Sequence, residues 1–132
     1  NGLYFLYRTF GFGVGTGNIE HWMLYKGIYP TGRLLNIHNW WAEILVGFGI
    51  IIFTMYIIFY IRLFISMSKT YKTSSNNTDS IISLSIMCIM LGYIIAGISP
   101  SSNMDTEWLW VFWAIAITYQ GINQPRSYIS IK

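Results

Sequence analysis

The feature that most constrains this chain is a long apolar run, Trp41 to Met67, in which Ala42 to Tyr60 carries a single charge, Glu43, near its start. A helix needs about 20 predominantly apolar residues to cross the hydrocarbon core of a bilayer. The run predicts a transmembrane helix over 41–67. Trp40 and Trp41 mark one interface. Tyr60 and Arg62 mark the other, with Arg62 able to extend its charge outward along its methylene stem. A second apolar run, Ile81 to Ile98, follows a polar stretch and predicts a second span over 80–99. Asp79 or Ser80 suits its N-cap, and Pro100 its stop.

Composition agrees with this reading. Of 132 residues, 54% are hydrophobic and only 10% charged, against about a quarter charged in a soluble domain. Aromatic residues make up 18%, including six Trp and ten Tyr, which fits rings seated at the level of lipid headgroups. The length allows one domain at most.

The polar segment 68–79, SKTYKTSSNNTD, joins the two runs into a transmembrane hairpin. Lys69 and Lys72 place this loop on the positive side of the membrane, cytoplasmic or matrix. Asn76-Asn77-Thr78 is a glycosylation sequon by pattern, but on that side it is a chance match. Segment 1–40 is turn-rich and too short in apolar stretches to span, so it is expected to be interfacial or re-entrant. Gly27, Pro30 and Gly32 punctuate it. A third apolar segment, 108–122, is short for a span. It is expected either as a tilted third helix or as a surface segment. A polar tail, 123–132, contains Pro125. The expected class is an all-α membrane protein: a helical hairpin, a third short or tilted helix, and an interfacial N-terminal segment.

Charge excludes some functions. The net charge of +3 comes from scattered single residues: Arg8, Lys26, Arg33, Arg62, Lys69, Lys72, Arg126 and Lys132. No basic stripe exists to neutralise a row of phosphates, so nucleic acid is excluded as a partner. The one cysteine, Cys88, rules out an internal disulfide and any Cys-based zinc site. A start at Asn1 is expected of a processed chain or a fragment, and no cleavable signal pattern is readable.

The remaining motifs are weak carriers of chemistry. Glycines at 11, 13, 15 and 17 imitate a phosphate-binding loop. The third Gly of a dinucleotide fingerprint is missing, and no Lys-Ser/Thr follows for a P-loop. They are expected to be flexible or closely packed backbone. Ser85, Cys88, Gly92 and Ala96 share a helix face and are expected to be a packing stripe. His21 and His38 are 17 residues apart with Pro30 between them. They are expected to form interfacial hydrogen bonds, and no metal site is assigned. Glu20, Asp105 and Glu107 could complete one only after folding. Glu43 and Asp79 are weak candidates for proton entry, since acids near a span are functional hypotheses. Trp108 and Trp110 join Trp40, Trp41 and Arg62 as interface anchors. No catalytic residues are assigned.

Trp22, Pro30 and the Ile37-His38-Asn39 step lead into a long helix, and Trp108-Leu109-Trp110 follows the hairpin. This order resembles the amino-terminal membrane part of haem-copper oxidase subunit 2. The resemblance implies a non-catalytic subunit of a respiratory electron-transport complex, with other membrane subunits and lipids as partners. Haem or copper would be held by partner subunits and not by this chain alone. It also implies the mitochondrial inner membrane, and Ile outnumbering Leu by more than two to one fits an AT-rich organellar genome. The alternatives are a structural accessory subunit of another assembly, such as ATP synthase or a photosystem, and a small transporter or channel protomer. The last is disfavoured by the lack of charge at the centre of both spans.

Overall fold

The structure is a computed structural model and describes residues 1–32, 34–98 and 107–123. Its helices are α1 (Gly2–Arg8), α2 (Ile19–Tyr25), α3 (Trp40–Thr73), α4 (Asn77–Ala96) and α5 (Glu107–Asn123), with a 3₁₀ turn at Thr16–Asn18 before α2. The described residues contain helices and no strands. Both α3 and α4 are long and apolar enough to cross a membrane, and the chain is an integral membrane protein with an all-α fold.

Local chemistry sets the helix ends. The Asn39 side chain caps α3 by accepting from the Ala42 N–H at 3.0 Å, as a short polar residue at an N-cap does. Nothing in 68–73 breaks the helix, so α3 runs on to Thr73. Thr70 and Thr73 return their hydroxyls to the carbonyls of Ser66 and Lys69. The expected loop over 68–79 therefore shrinks to three residues, and the lysines sit on the last turns of α3. Asn76 caps α4 by accepting from the Thr78 N–H at 3.0 Å, so the expected cap at Asp79 or Ser80 moves upstream. Asp79 lies instead in the first turn, where the helix dipole favours a carboxylate. Pro100, the expected stop, lies outside the described residues, as do Asp105 and most of the 123–132 tail. The described helix α4 ends at Ala96, capped by Gly97.

The expected single helix over 41–67 is broken. Gly49 has φ 84° and ψ 176°, outside the helical region. At that point α3 folds back on itself. The Trp41 ring packs 6.1 Å from Tyr56 and 5.8 Å from Tyr60. On a straight helix those residues would stand about 22 and 28 Å away. Residues 50–73 form the long arm, and residues 40–48 return beside it.

The long arm pairs antiparallel with α4. Tyr60, Leu63 and Met67 meet Ile86, Met87 and Met90 in one core, and the Tyr60 hydroxyl donates to the Met90 carbonyl. The expected packing stripe does not make this contact. Ser85, Cys88, Gly92 and Ala96 are all exposed. The buried face of α4 is Ser83, Ile86, Met87 and Met90, one helical step round. Large flexible methionines, not small residues, fill the gap.

The third apolar segment is a helix of the same bundle. Leu109, Trp113 and Ala116 of α5 enter the shared core. Trp113 sits edge-on to Tyr56, Phe59, Tyr60 and Tyr93. Further along, the Tyr119 hydroxyl donates to Asp79 at 3.1 Å. Thus α5 runs antiparallel to α4, from the end near Trp40 toward the lysine end. Its 17 residues cover about 25 Å, a little less than the hydrocarbon core.

The N-terminal segment is a small helical hairpin laid against the fold-back. Phe5 of α1 is fully buried and packs 5.5 Å from the Trp22 ring of α2. Asn1 closes the open end, accepting from the Ile28 and Tyr29 N–H groups and donating to the Tyr29 carbonyl. Phe5, Val14, Ile19 and Val46 form a second, separate core.

Two outcomes follow. Replacing Trp113 with Ala removes a ring of α5 that packs on rings of both α3 and α4, and is expected to cost about 3 kcal/mol, read as a lower midpoint in detergent denaturation. Among the described residues, Lys69 and Lys72 outweigh Asp79 at the lysine end, so that end should face the cytoplasm. A cysteine placed at the exposed Ser75, in a Cys88→Ser background, should react with a membrane-impermeant maleimide only in inverted vesicles; labelling of right-side-out cells would reverse the assigned orientation.

Candidate functional site

His38, Asn39 and Glu43 lie at the end away from the lysines, here termed the outer end, where residues 37–48 meet the N-terminal hairpin and the end of α4. Two hydrogen bonds fix this end. The Trp40 N–H donates to the Gly97 carbonyl at 2.8 Å. The Trp41 indole donates to the Ile94 carbonyl at 3.2 Å. These bonds use carbonyls that the last turn of a helix leaves without intrahelical partners. A Cβ at Gly97 would lie 3.1 Å from the Trp41 Nε1 and 3.6 Å from the Trp40 Cβ, so the small residue allows the close approach.

Two cavities flank the segment. One, of about 580 Å³, lies between α1, α2 and residues 37–46, with Tyr4, Met23, Ile37, Ala42 and Val46 among its walls. Its size falls in the range of small-molecule sites. The other, of about 380 Å³, is a groove between α3 and α4 lined by Trp41, Phe53, Ile57, Tyr60, Ile94 and Ile98. Its exposed lining is wholly apolar, which suits a hydrocarbon chain. His38 is exposed beside the first cavity, next to its wall residue Ile37, and Asn39 follows at the helix cap.

Behind the segment lies a cluster of aromatic rings that includes Trp40, Trp41, Tyr56, Tyr60, Tyr93 and Trp113. The indole nitrogens of Trp40 and Trp113 and the hydroxyls of Tyr56 and Tyr93 are buried within this cluster. Glu43 stands close enough for its charge to act on Tyr93. Trp40 is thus not a lipid-interface anchor. It is 2% exposed, because the break at Gly49 folds it inward, and Trp41 is half-buried beside it. Trp108 and Trp110 of α5 are exposed. Arg62 is exposed too, but it lies within the long arm and not at its end. It borders a groove with Gln120.

The two acids named as proton-path candidates do not meet. Glu43 lies by the C-terminal end of α4 and Asp79 in its first turn, so α4 separates them by about 20 Å or more. Asp79 is held by the Tyr119 hydroxyl. His21 stacks on Tyr25 at 4.8 Å and shares no described contact with His38. Among the described residues no cluster of His, Cys, Asp or Glu could hold a metal ion.

The glycines at 11, 13 and 15 are closely packed backbone. Positive φ at each lets the loop press against the break in α3. Sequence reasoning recognised that the spacing fails as a phosphate loop. It did not connect this loop to Gly47-Phe48-Gly49, the other half of the contact. A Gly-x-Gly inside an apolar run was the available signal.

Over 117 residues the chain is 32% identical to the teichuronic acid biosynthesis protein TuaE of Bacillus subtilis. It is similar to a bacterial wall-polymer protein. The match takes in 89% of this chain but 24% of TuaE, so the chain spans about a quarter of the length of that relative. No protein-family profile and no solved structure matches the chain.

This match overturns the resemblance to oxidase subunit 2. The Ile37-His38-Asn39 step is the cap of a folded-back helix, and Trp108-Leu109-Trp110 opens α5 instead of an extramembrane domain. The respiratory-subunit reading falls with it, as do the ATP synthase, photosystem and transporter alternatives and the mitochondrial inner membrane. What stands is the membrane protein itself.

Replacing Tyr119 with Phe removes the hydroxyl that Asp79 accepts from. The expected cost is about 1 kcal/mol, measured as a shift in detergent denaturation. An unchanged midpoint would show that this contact does not help hold α5 to α4.

Proposed function

We infer that this chain forms part of a bacterial cytoplasmic-membrane protein that builds a wall polysaccharide of the teichuronic acid kind. The observation that carries the reading is the 117-residue similarity to TuaE, which at that length takes in the fold-back and most of the bundle.

The geometry supports it. The apolar groove is lined by Trp41 and Tyr60, and His38, Asn39 and Glu43 lie within three residues of Trp41 in the chain. An amphiphilic substrate, with a hydrocarbon part in the membrane and sugars in water, would find both surfaces there. His38 is exposed, and an imidazole can hydrogen-bond a sugar hydroxyl or relay a proton. Ser85, Cys88, Gly92 and Ala96 are exposed on α4. Small residues suit close helix approach in lipid, so further membrane helices are the partners proposed for that stripe.

The test is an exchange. The matched stretch of TuaE is replaced by this chain in a Bacillus subtilis strain lacking TuaE, and wall teichuronic acid is measured. Restored polymer is the expected result. A chimera that inserts stably yet gives no polymer would overturn the reading. In a working chimera, His38→Ala is expected to lower polymer output tenfold or more, toward the range of lost acid–base groups (about a hundredfold and above).

A further inference from the structure

The break in α3 does not leave its hydrogen-bonding groups idle. In an unbroken helix the Ile50 N–H would donate to the Val46 carbonyl, four residues back. Here both groups are taken by the glycine loop. The Val46 carbonyl accepts from the Val14 N–H at 2.9 Å, and the Ile50 N–H donates to the Gly11 carbonyl at 2.8 Å. The Gly47 carbonyl accepts from the Gly15 N–H at 2.9 Å. The loop is thus wedged into an opened helical hydrogen bond. The fit is close. A Cβ on Gly13 would come within 2.6–2.8 Å of the backbone at Val46, Gly47 and Gly49, and a Cβ on Gly49 within 2.4–2.6 Å of Gly11 and Phe12.

We propose that this clasp is a reversible latch on a hinge in α3. With the latch closed, residues 40–48 fold back and hold Trp41 against Tyr56 and Tyr60. With the latch released, Val46 and Ile50 pair with each other, and α3 straightens through residue 49. The exchange conserves the Val46 and Ile50 hydrogen bonds, while release passes the Val14 and Gly15 N–H groups and the Gly11 carbonyl to water; the sequence on both sides of Gly49 is already helical. Two alternative pairings of the same backbone groups are what a switching element requires. A straight 34-residue α3 is about 51 Å long, well beyond the roughly 30 Å core. Straightening therefore lifts the His38–Glu43 end out of the bundle into water, while closing returns it to the level of the aromatic cluster. The latch stands on backbone geometry and does not depend on the proposed substrate.

The experiment measures the distance between spin labels at positions 42 and 61 by pulsed electron paramagnetic resonance. It uses this chain in lipid nanodiscs in a Cys88→Ser background. A straight helix puts the labels about 28 Å apart; the closed form brings them to the neighbourhood of the Trp41–Tyr60 contact. The unmodified loop should give the short distance as its main population. Gly13→Ala, which leaves α3 untouched, should move most of that population to the long distance. Thr9→Ala should move it in the same direction, because the Thr9 hydroxyl accepts from the Gly13 N–H at 3.1 Å and shapes the loop. This second substitution adds no atom to the contact, so it decides the matter if Gly13→Ala fails to fold. Samples of native helicity in which Thr9→Ala and any folded Gly13→Ala keep only the short distance would overturn the latch. So would a native chain showing only the long one.

Discussion

The fold depends on one exchanged backbone pairing: Val46 and Ile50 bond to the loop at Val14 and Gly11 instead of to each other. At membrane depth an unpaired backbone group costs several kcal/mol, and irregular backbone survives only where protein supplies partners. The N-terminal hairpin supplies them. Without it the turn at Gly49 would leave donors and acceptors bare, and residues 40–48 would have every reason to continue the helix. The second small core, built from Phe5, Val14, Ile19 and Val46, gives the loop its rigid backing.

Everything at the outer end follows from that break. It turns Trp40 and Trp41 inward, where they meet Tyr93 and the carbonyls at the end of α4. It creates the groove between Trp41 and Ile98. It also gives α5 a surface to join, because Trp113 packs on the same aromatic group. The bundle is therefore held at its outer end by rings and at its lysine end by methionines and the Tyr119–Asp79 contact. These two kinds of contact differ in adaptability. Methionine fills irregular gaps with little preference of direction, whereas the ring edges fix orientation.

Some of this was legible in the residues. The apolar runs at 41–67 and 80–99 announced the spans because hydropathy over 20 residues is a strong signal. Asn39 and Asn76 act through short-range chemistry, yet the caps were misplaced. Asp79 looked the better cap only because Lys69 to Thr73 read as loop; their continuation as helix depends on bonds such as Thr70 to Ser66. The face of α4 that packs inward could not be read from its small residues, since α4 is apolar nearly all round and only its partners choose a face. The break at Gly49 was hidden for a different reason. It needs residues 11–15, far away in sequence, and no periodicity links the two.

The similarity to TuaE extends this argument beyond the bundle. Any stretch of 117 residues in this chain includes the helix break at Gly49 and the long arm after it. A stretch that serves only to anchor a protein in lipid has no use for a broken helix, because a continuous one satisfies its backbone without help. Keeping the break requires the N-terminal hairpin and at least three glycines at positive φ where it meets α3: Gly11, Gly13 and Gly49. That conformational cost is intelligible if the segment it positions does work. The segment carries His38, Asn39 and Glu43, and it stands between an apolar groove and the cavity under the N-terminal hairpin. On physical grounds the outer end, and not the lysine end, is where the chemistry of this chain should be sought.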